Sequence, residues 1–249
     1  MCSTIMFRCP VSSGSMDSDE KVLYAYALAH QIPVEKGRID CITPDQQSGL
    51  RSGILIPVGS VEWLRSCMQS IALKEPVSIS YPHEFRSFFH REIHQSIWSQ
   101  RDGFIPCFIK PVRTKVFTGF VHHRLGDESE ETLQVLDSER VFISSVVQWQ
   151  CEWRYYVHDE VILGKGRYDD RDEQAPLPDE HIVKRMLRTL NHKPVAFSMD
   201  VGVLSTGETA LVECNDAWSL GYYRGSLSVE DYWVMLRDRW REIVLTKQI

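Results

Sequence analysis

AFSMDVGVLSTGETALVECNDAWSLGYY, residues 196–223, reads as two apolar runs around a Ser-Thr-Gly-Glu turn, with an acid set inside each run. Such a pattern predicts a β-hairpin. With the turn centred between Thr206 and Gly207, Asp200 falls directly opposite Glu213. Side chains alternate faces along a strand, so Asn215 joins the face of Glu213. Like charges opposed across a sheet are destabilising unless something neutralises them. A hard divalent cation does so, and Mg²⁺ takes one or two carboxylates together with phosphate oxygens. Asparagine adds a neutral oxygen ligand. The plainer alternative is a shifted register, or two acids facing solvent.

A phosphate-handling site needs cations. FIPCFIKPV, residues 104–112, carries Lys110 in a buried-looking run, where a lysine is costly unless paired. Taken alone it also reads as a lysine snorkelling from a strand end. KVFTGFV adds Lys115 and a Thr-Gly turn, and CEWRYYV sets Arg154 between aromatics. An arginine there forks onto phosphate or carboxylate, or pairs with Glu152 or Asp159.

The 249 residues are 43% hydrophobic and 25% charged, an ordinary globular composition. Lys and Arg number 28 against 34 Asp and Glu, and the net charge of −6 disfavours a nucleic-acid or membrane-surface role. Seven cysteines without a C-x-x-C pair suggest neither a disulfide framework nor a zinc ribbon. No signal-peptide pattern or long apolar span is present, so a soluble, cytoplasmic protein with no membrane partner is expected. Residues 10–19 are turn-rich, and a helix is expected over 20–31, capped by Asp17 or Ser18. ILIPVGSVEWLRSCMQS reads as strand, turn and helix. HEFRSFFHREIHQSIWSQ, residues 83–100, shows apolar positions at spacings of three and four and is read as a helix. From Gly103 the pattern turns β-rich, broken by a helix over 179–190 and closed by the amphipathic VEDYWVMLRDRWREIVL. A boundary near residue 100 then divides a small α/β domain, 1–100, from a larger antiparallel α+β domain, 101–249.

FIKP, then VFISSVV and EWRYYV, then D-x₁₂-E-x-N with NDAWSLG behind it resembles the ATP-grasp superfamily of carboxylate–amine ligases. The likeness spans residues 104–223 and is greatest to a small amidoligase-like branch. It implies an α+β ATP-grasp fold preceded by a small α/β domain, with ATP and Mg²⁺ bound and an amide formed through an acylphosphate. Lys110 would contact the phosphates, and Asp200, Glu213 and Asn215 would hold Mg²⁺. Lys110, Arg154 and the metal would be the charge-neutralising set. The strand over 142–147, with Ser144, Ser145 and Val146, would face adenine. Arg91 stands where many relatives have a second phosphate-binding lysine. Lys165 or Arg167, in the GKGRY loop, would reach the γ-phosphate, and residues 163–168 would form a lid. Many relatives have an arginine at the position of Ser198, two before the first metal acid; Arg154 is the candidate to replace it. The substrate would be a small molecule, amino acid or peptide, with residues 219–222 near the acceptor and Trp218, Tyr222 and Tyr223 either lining its pocket or merely packing. The alternatives are an inactive nucleotide-binding or regulatory module, which has no need of opposed acids, and nucleotidyl transfer, whose K-x-D-G motif is absent.

Other clusters read as structural. His90 and His94 lie four apart but lack the H-E-x-x-H order and a third ligand, so a solvated helix face is expected. GSVEW lacks the glycines and lysine of a P-loop and reads as a helix start. The acidic GDESEE run is read as a solvated turn, and Cys151 and Cys214 as inert buried thiols.

Overall fold

In the computed structural model, residues 3–8, 16–126, 129–169, 174 and 176–246 are described. Residues 10–15 of the turn-rich stretch, Cys2, Cys9, and Asp127 and Glu128 of the acidic run lie outside them.

The first unit alternates strand and helix. Thr4–Arg8 (β1) is apolar and leads to Ser18–Ala29 (α1), where Asp17 and Glu20 form a reciprocal capping box. Val34–Gly37 (β2) is followed by Pro44–Arg51 (α2), started by Thr43, Gln46 and a first-turn proline. Leu55–Val58 (β3) runs through a turn into Val61–Ser70 (α3), whose cap Ser60 accepts from the Trp63 amide. The strands are parallel in the order β2-β1-β3.

Two antiparallel sheets follow. Ile93–Ile97 (β4), Cys107–Pro111 (β5), Phe120–His122 (β6) and Arg140–Ser144 (β7) lie in the order β4-β7-β5-β6. Trp149–His158 (β8), Val161–Arg167 (β9), Ala196–Leu204 (β10) and Thr209–Asp216 (β11) lie in the order β11-β10-β8-β9. Glu180–Thr189 (α4) covers one face of the second sheet, burying Val183 and Met186 against Tyr155, Phe197, Met199 and Leu211. The last helix, Val229–Thr246 (α5), returns to the first unit: Tyr232, Trp233 and Trp240 share its core with Ile5, Phe7, Ile56 and Trp63. No helix among the described residues is long and apolar enough to cross a membrane.

The helix expected over 83–100 does not form. Its first turn is a 3₁₀ helix, His83–Phe88, that buries Phe85 and Phe88. His90 then adopts a left-handed φ of 48°, which stops helical propagation, and β4 pairs with β7 from Ile93↔Ser144 onward. His90 and His94 therefore share no helix face. A division at residue 100 also cuts this sheet, because β4 belongs with the strands after it.

The hairpin β10–β11 pairs Asp200 with Glu213. Its turn is tighter than the expected one, with Val203 opposite Thr209 and Leu204 N–H donating to Glu208 O at 2.9 Å. Val212 is the extra residue of a β-bulge between the turn and the acids, and this bulge restores their opposition. A bulge leaves ladder groups unpaired, and here Arg91 supplies the donors: Nη1 to Leu211 O at 2.7 Å and Nη2 to Val212 O at 2.9 Å. Arg91→Ala removes these charge-assisted bonds from the bulge, and we expect a loss of about 1–3 kcal/mol, read as a lower urea midpoint at unchanged slope.

The stretch expected as a mobile lid, 163–168, is mostly the strand β9. A Cβ on Gly164 would collide with the Ser226 carbonyl and lie 2.8 Å from Leu227 Cβ, so this glycine allows the segment before α5 to press on the strand. Gly164→Ala should destabilise by about 1–3 kcal/mol through overpacking, visible as a Tm several degrees lower in a thermal melt.

Candidate active site at the acid hairpin

The second sheet has an apolar face toward α4 and a polar face toward the first antiparallel sheet. One row across the polar face reads Glu213, Asp200, Arg154 and Gly166, each directly paired with the next. The neighbouring row carries Asn215, Ser198, Tyr156 and Gly164. The sequence supplies both rows by period-two alternation, and the two glycines let Ser226 and Leu227 pack directly on the end of each row.

Asp200 is buried and accepts a fork from Arg154, Nε at 2.8 Å and Nη2 at 2.7 Å. Asn215 Nδ2 bridges Asp200 Oδ2 at 3.0 Å and Glu213 Oε1 at 3.1 Å. Lys110 arrives from the facing sheet and pairs with Glu213 Oε2, its Nζ also 3.4 Å from Ser80 Oγ. Burial pushes the Asp200 carboxyl up against the opposing pull of Arg154, with the Glu213 charge adding to the rise. Burial acts the same way on Glu213, but the Lys110 ammonium beside it holds that carboxyl below the usual range. Lys110 itself, though desolvated, is held above the ordinary lysine value by Glu213. The Arg154 guanidinium lies 4.9 Å from the Tyr223 ring centre and 5.7 Å from that of Tyr168, and those rings stack on each other.

These groups line one side of a cavity of about 1270 Å³ between the two antiparallel sheets. Lys110, Arg91, Ser144, Ser145, Val146, Arg154, Glu213 and Asn215 all border it, and Asp200 lies directly behind Arg154 and Asn215. β7 ends at Ser144, so Ser145 and Val146 belong to the link between sheets; the Ser145 N–H donates to Glu92 O at 3.0 Å. Arg91 faces the cavity with donors committed to the bulge, and it lies in no helix.

Lys165 and Arg167 are not brought to the cavity. β9 is a strand, and its alternation sends Gly164 and Gly166 to the polar face and the two cations to the other. Lys165 sits 5.8 Å from the Trp153 and Tyr155 rings and pairs with Glu180 at 2.7 Å. Arg167 pairs with Asp169. Trp218, residues 219–221 and Tyr223 do border the cavity, whereas the Tyr222 hydroxyl donates to Leu227 O at 3.1 Å within the packing of the first unit.

Sequence reasoning missed Ser80 and Tyr81. Ser80 touches Lys110 and its carbonyl accepts from the Cys214 amide at 2.9 Å, while the Tyr81 ring lies 5.3 Å from the Lys110 ammonium. They lie in an irregular connection without periodicity, and SISYP offers only an aromatic beside a proline as a signal. Among the described residues no three His, Cys, Asp or Glu side chains cluster. The donor set of two carboxylates and one amide still fits a hard divalent cation that shares phosphate oxygens, provided the Asn215 amide turns its oxygen inward.

A family model for an ATP-grasp domain, the second family of one clade of that superfamily, matches residues 73–233. No curated protein matches. Among solved structures, the chain is similar to N5-carboxyaminoimidazole synthase from Aspergillus clavatus in complex with ADP and 5-aminoimidazole ribonucleotide, with 10% identity, 98% of this chain and 77% of that one covered, and a TM-score of 0.56. It is also similar to the ATP-grasp ligase PsnB complexed with a minimal precursor, with 12% identity, 90% and 93% covered, and a TM-score of 0.52. D-alanine–D-alanine ligase from Bacillus anthracis gives 11% identity, 99% and 100% covered, and a TM-score of 0.52. At such identities the structures speak for a shared fold. The fold, the acid hairpin and the matched length together make this chain a member of that ATP-grasp domain family.

Proposed function

We propose that the chain is an ATP- and Mg²⁺-dependent ligase that joins a carboxylate to an amine. The γ-phosphoryl of ATP passes to the carboxylate, ADP leaves, and the amine attacks the acylphosphate to give an amide and phosphate. The observation that carries this reading is the convergence of Asp200, Glu213 and Asn215 with Lys110 and Arg154 at one end of a large inter-sheet cavity.

Phosphoryl transfer asks for positioning and charge neutralisation more than for a protein nucleophile. Lys110 is the phosphate cation, since it enters from the facing sheet and borders the cavity. Arg154 supplies the guanidinium that the serine at position 198 cannot, and its contacts with the Tyr168 and Tyr223 rings fix its plane. Ser144, Ser145 and Val146, at the turn between sheets, border the cavity where adenine would lie. Asp200, Glu213 and Asn215 would hold the divalent ion, which when bound would neutralise charge on the phosphates. The domain that performs this begins in the connection after α3, between residues 71 and 80. The carboxylate and the amine belong to a small molecule, an amino acid or a peptide.

The reading is tested by calorimetric titration of ATP with Mg²⁺ into the wild-type chain and into Glu213→Gln/Asn215→Ala. We expect binding by the wild type and affinity weakened by more than about tenfold in the variant, the scale of one or two lost charge-assisted contacts. ADP release on addition of carboxylate and amine mixtures then completes the case. A wild type that binds no nucleotide defeats the proposal and leaves an inactive module.

A further inference from the structure

On the ligase reading Glu213 turns to a divalent ion, and the Lys110 ammonium is left to its other neighbours. Two of these come from the irregular stretch 78–82 that follows α3. Ser80 is buried, with its Oγ 3.4 Å from Lys110 Nζ and 3.0 Å from Ser78 Oγ. The Tyr81 ring centre lies 5.3 Å from the same Nζ, within the range of a cation–π contact.

Tyr81 is itself held from several sides. Its ring stands edge-on to Phe142, with centres 4.8 Å apart, and to Phe89, with centres 5.9 Å apart. Phe142 is the residue paired with Lys110 across β5 and β7, so one ring covers both members of that pair. The Ser80 carbonyl accepts from the Cys214 amide at 2.9 Å, which joins the stretch to the strand between Glu213 and Asn215. On another side, the Arg91 guanidinium that braces the bulge lies 5.8 Å from the Tyr81 ring centre. The ring thus has its place set by the acid strand, by β7 and by Arg91.

We propose that Tyr81 is a positioning residue of the nucleotide site, its ring keeping the Lys110 ammonium in place while Glu213 is exchanged for phosphate. The inference rests on the ligase reading above. A lysine ammonium has three N–H donors, so it can change one partner while the others hold. An aromatic face carries a negative quadrupole that acts on the net charge before it. While Glu213 is paired with Lys110, its carboxylate offsets part of that attraction. Once the pair opens, the ring meets an undiminished cation, and it spares a long, flexible side chain the cost of being ordered by phosphate alone. The ring therefore stabilises the nucleotide-bound arrangement more than the resting one.

Calorimetric titrations of the whole chain with ATP and Mg²⁺ test this on Tyr81→Phe, on Tyr81→Leu and on a chain carrying trifluorophenylalanine in place of Tyr81. Phenylalanine keeps the ring and its quadrupole, leucine removes both, and fluorination keeps the ring while draining negative charge from its face. We expect Tyr81→Phe to bind nearly as the wild type does, and the other two chains to lose about five- to tenfold in affinity. The two phenylalanine chains decide the case even where Tyr81→Leu does not fold. Equal affinity of those two, in a protein whose wild type binds ATP, overturns the role of Tyr81 and leaves the ligase reading standing, because a ring that only packs depends on shape. A wild type that binds no nucleotide overturns both.

Discussion

Two carboxylates opposed on adjacent buried strands set the terms for the rest of the molecule. Asp200 and Glu213 cannot stay charged in a low-dielectric interior without partners, and stranding one such charge costs about 3–5 kcal/mol. The two partners come from different directions. Arg154 lies on the next strand of the same sheet, whereas Lys110 comes from the sheet across the cavity. The second pair therefore ties the sheets together at the end of the cavity where the acids lie, and it sets their separation there.

Register is the second constraint, because a slip of one residue on either strand would turn its acid toward the apolar face under α4. The bulge at Val212 fixes that register, and Arg91, 120 residues away along the chain from Leu211, fixes the bulge. Its guanidinium lies 5.2 Å from the Trp149 ring at the start of β8, so the same side chain also braces the connection between sheets. Arg91 thus positions the acid hairpin whatever it does for a nucleotide, and its two bonds to strand carbonyls account for its place in the fold.

Much of this was legible in the chain because it is local. The hairpin, its opposed acids and the neighbouring Asn215 follow from alternation and a Gly turn, and the strand-turn-helix at β3–α3 from its cap and periodicity. Alternation applied to β9 would also have placed Lys165 and Arg167 away from the site; reading GKGRY as a loop because of its glycines lost that information. The glycines serve close approach by residues 226 and 227 instead, a long-range demand with no local mark. The segment 83–100 misleads for a related reason: Phe85, Phe88 and Phe89 are core residues, but they fill space from a single turn, and the strand after them is decided by pairing with β7. The amphipathic pattern of α5 was plain, yet no pattern says that its apolar face belongs with β1 and β3.

The resting charges of the site close on themselves: Arg154 with Asp200, Lys110 with Glu213, and Asn215 across both acids. A set that cancels internally cannot also neutralise a polyanion. On the proposed reading, Lys110 would exchange Glu213 for phosphate oxygens, and Glu213, left half-buried beside Asp200 without its partner, would then require a replacement cation. On that reading, phosphates would supply the oxygens which two carboxylates and an amide do not provide for a hard divalent ion, and nucleotide and ion would strengthen each other's binding by the same factor. Arg154 would take no part in that exchange, since it forks onto buried Asp200 and lies against two tyrosine rings.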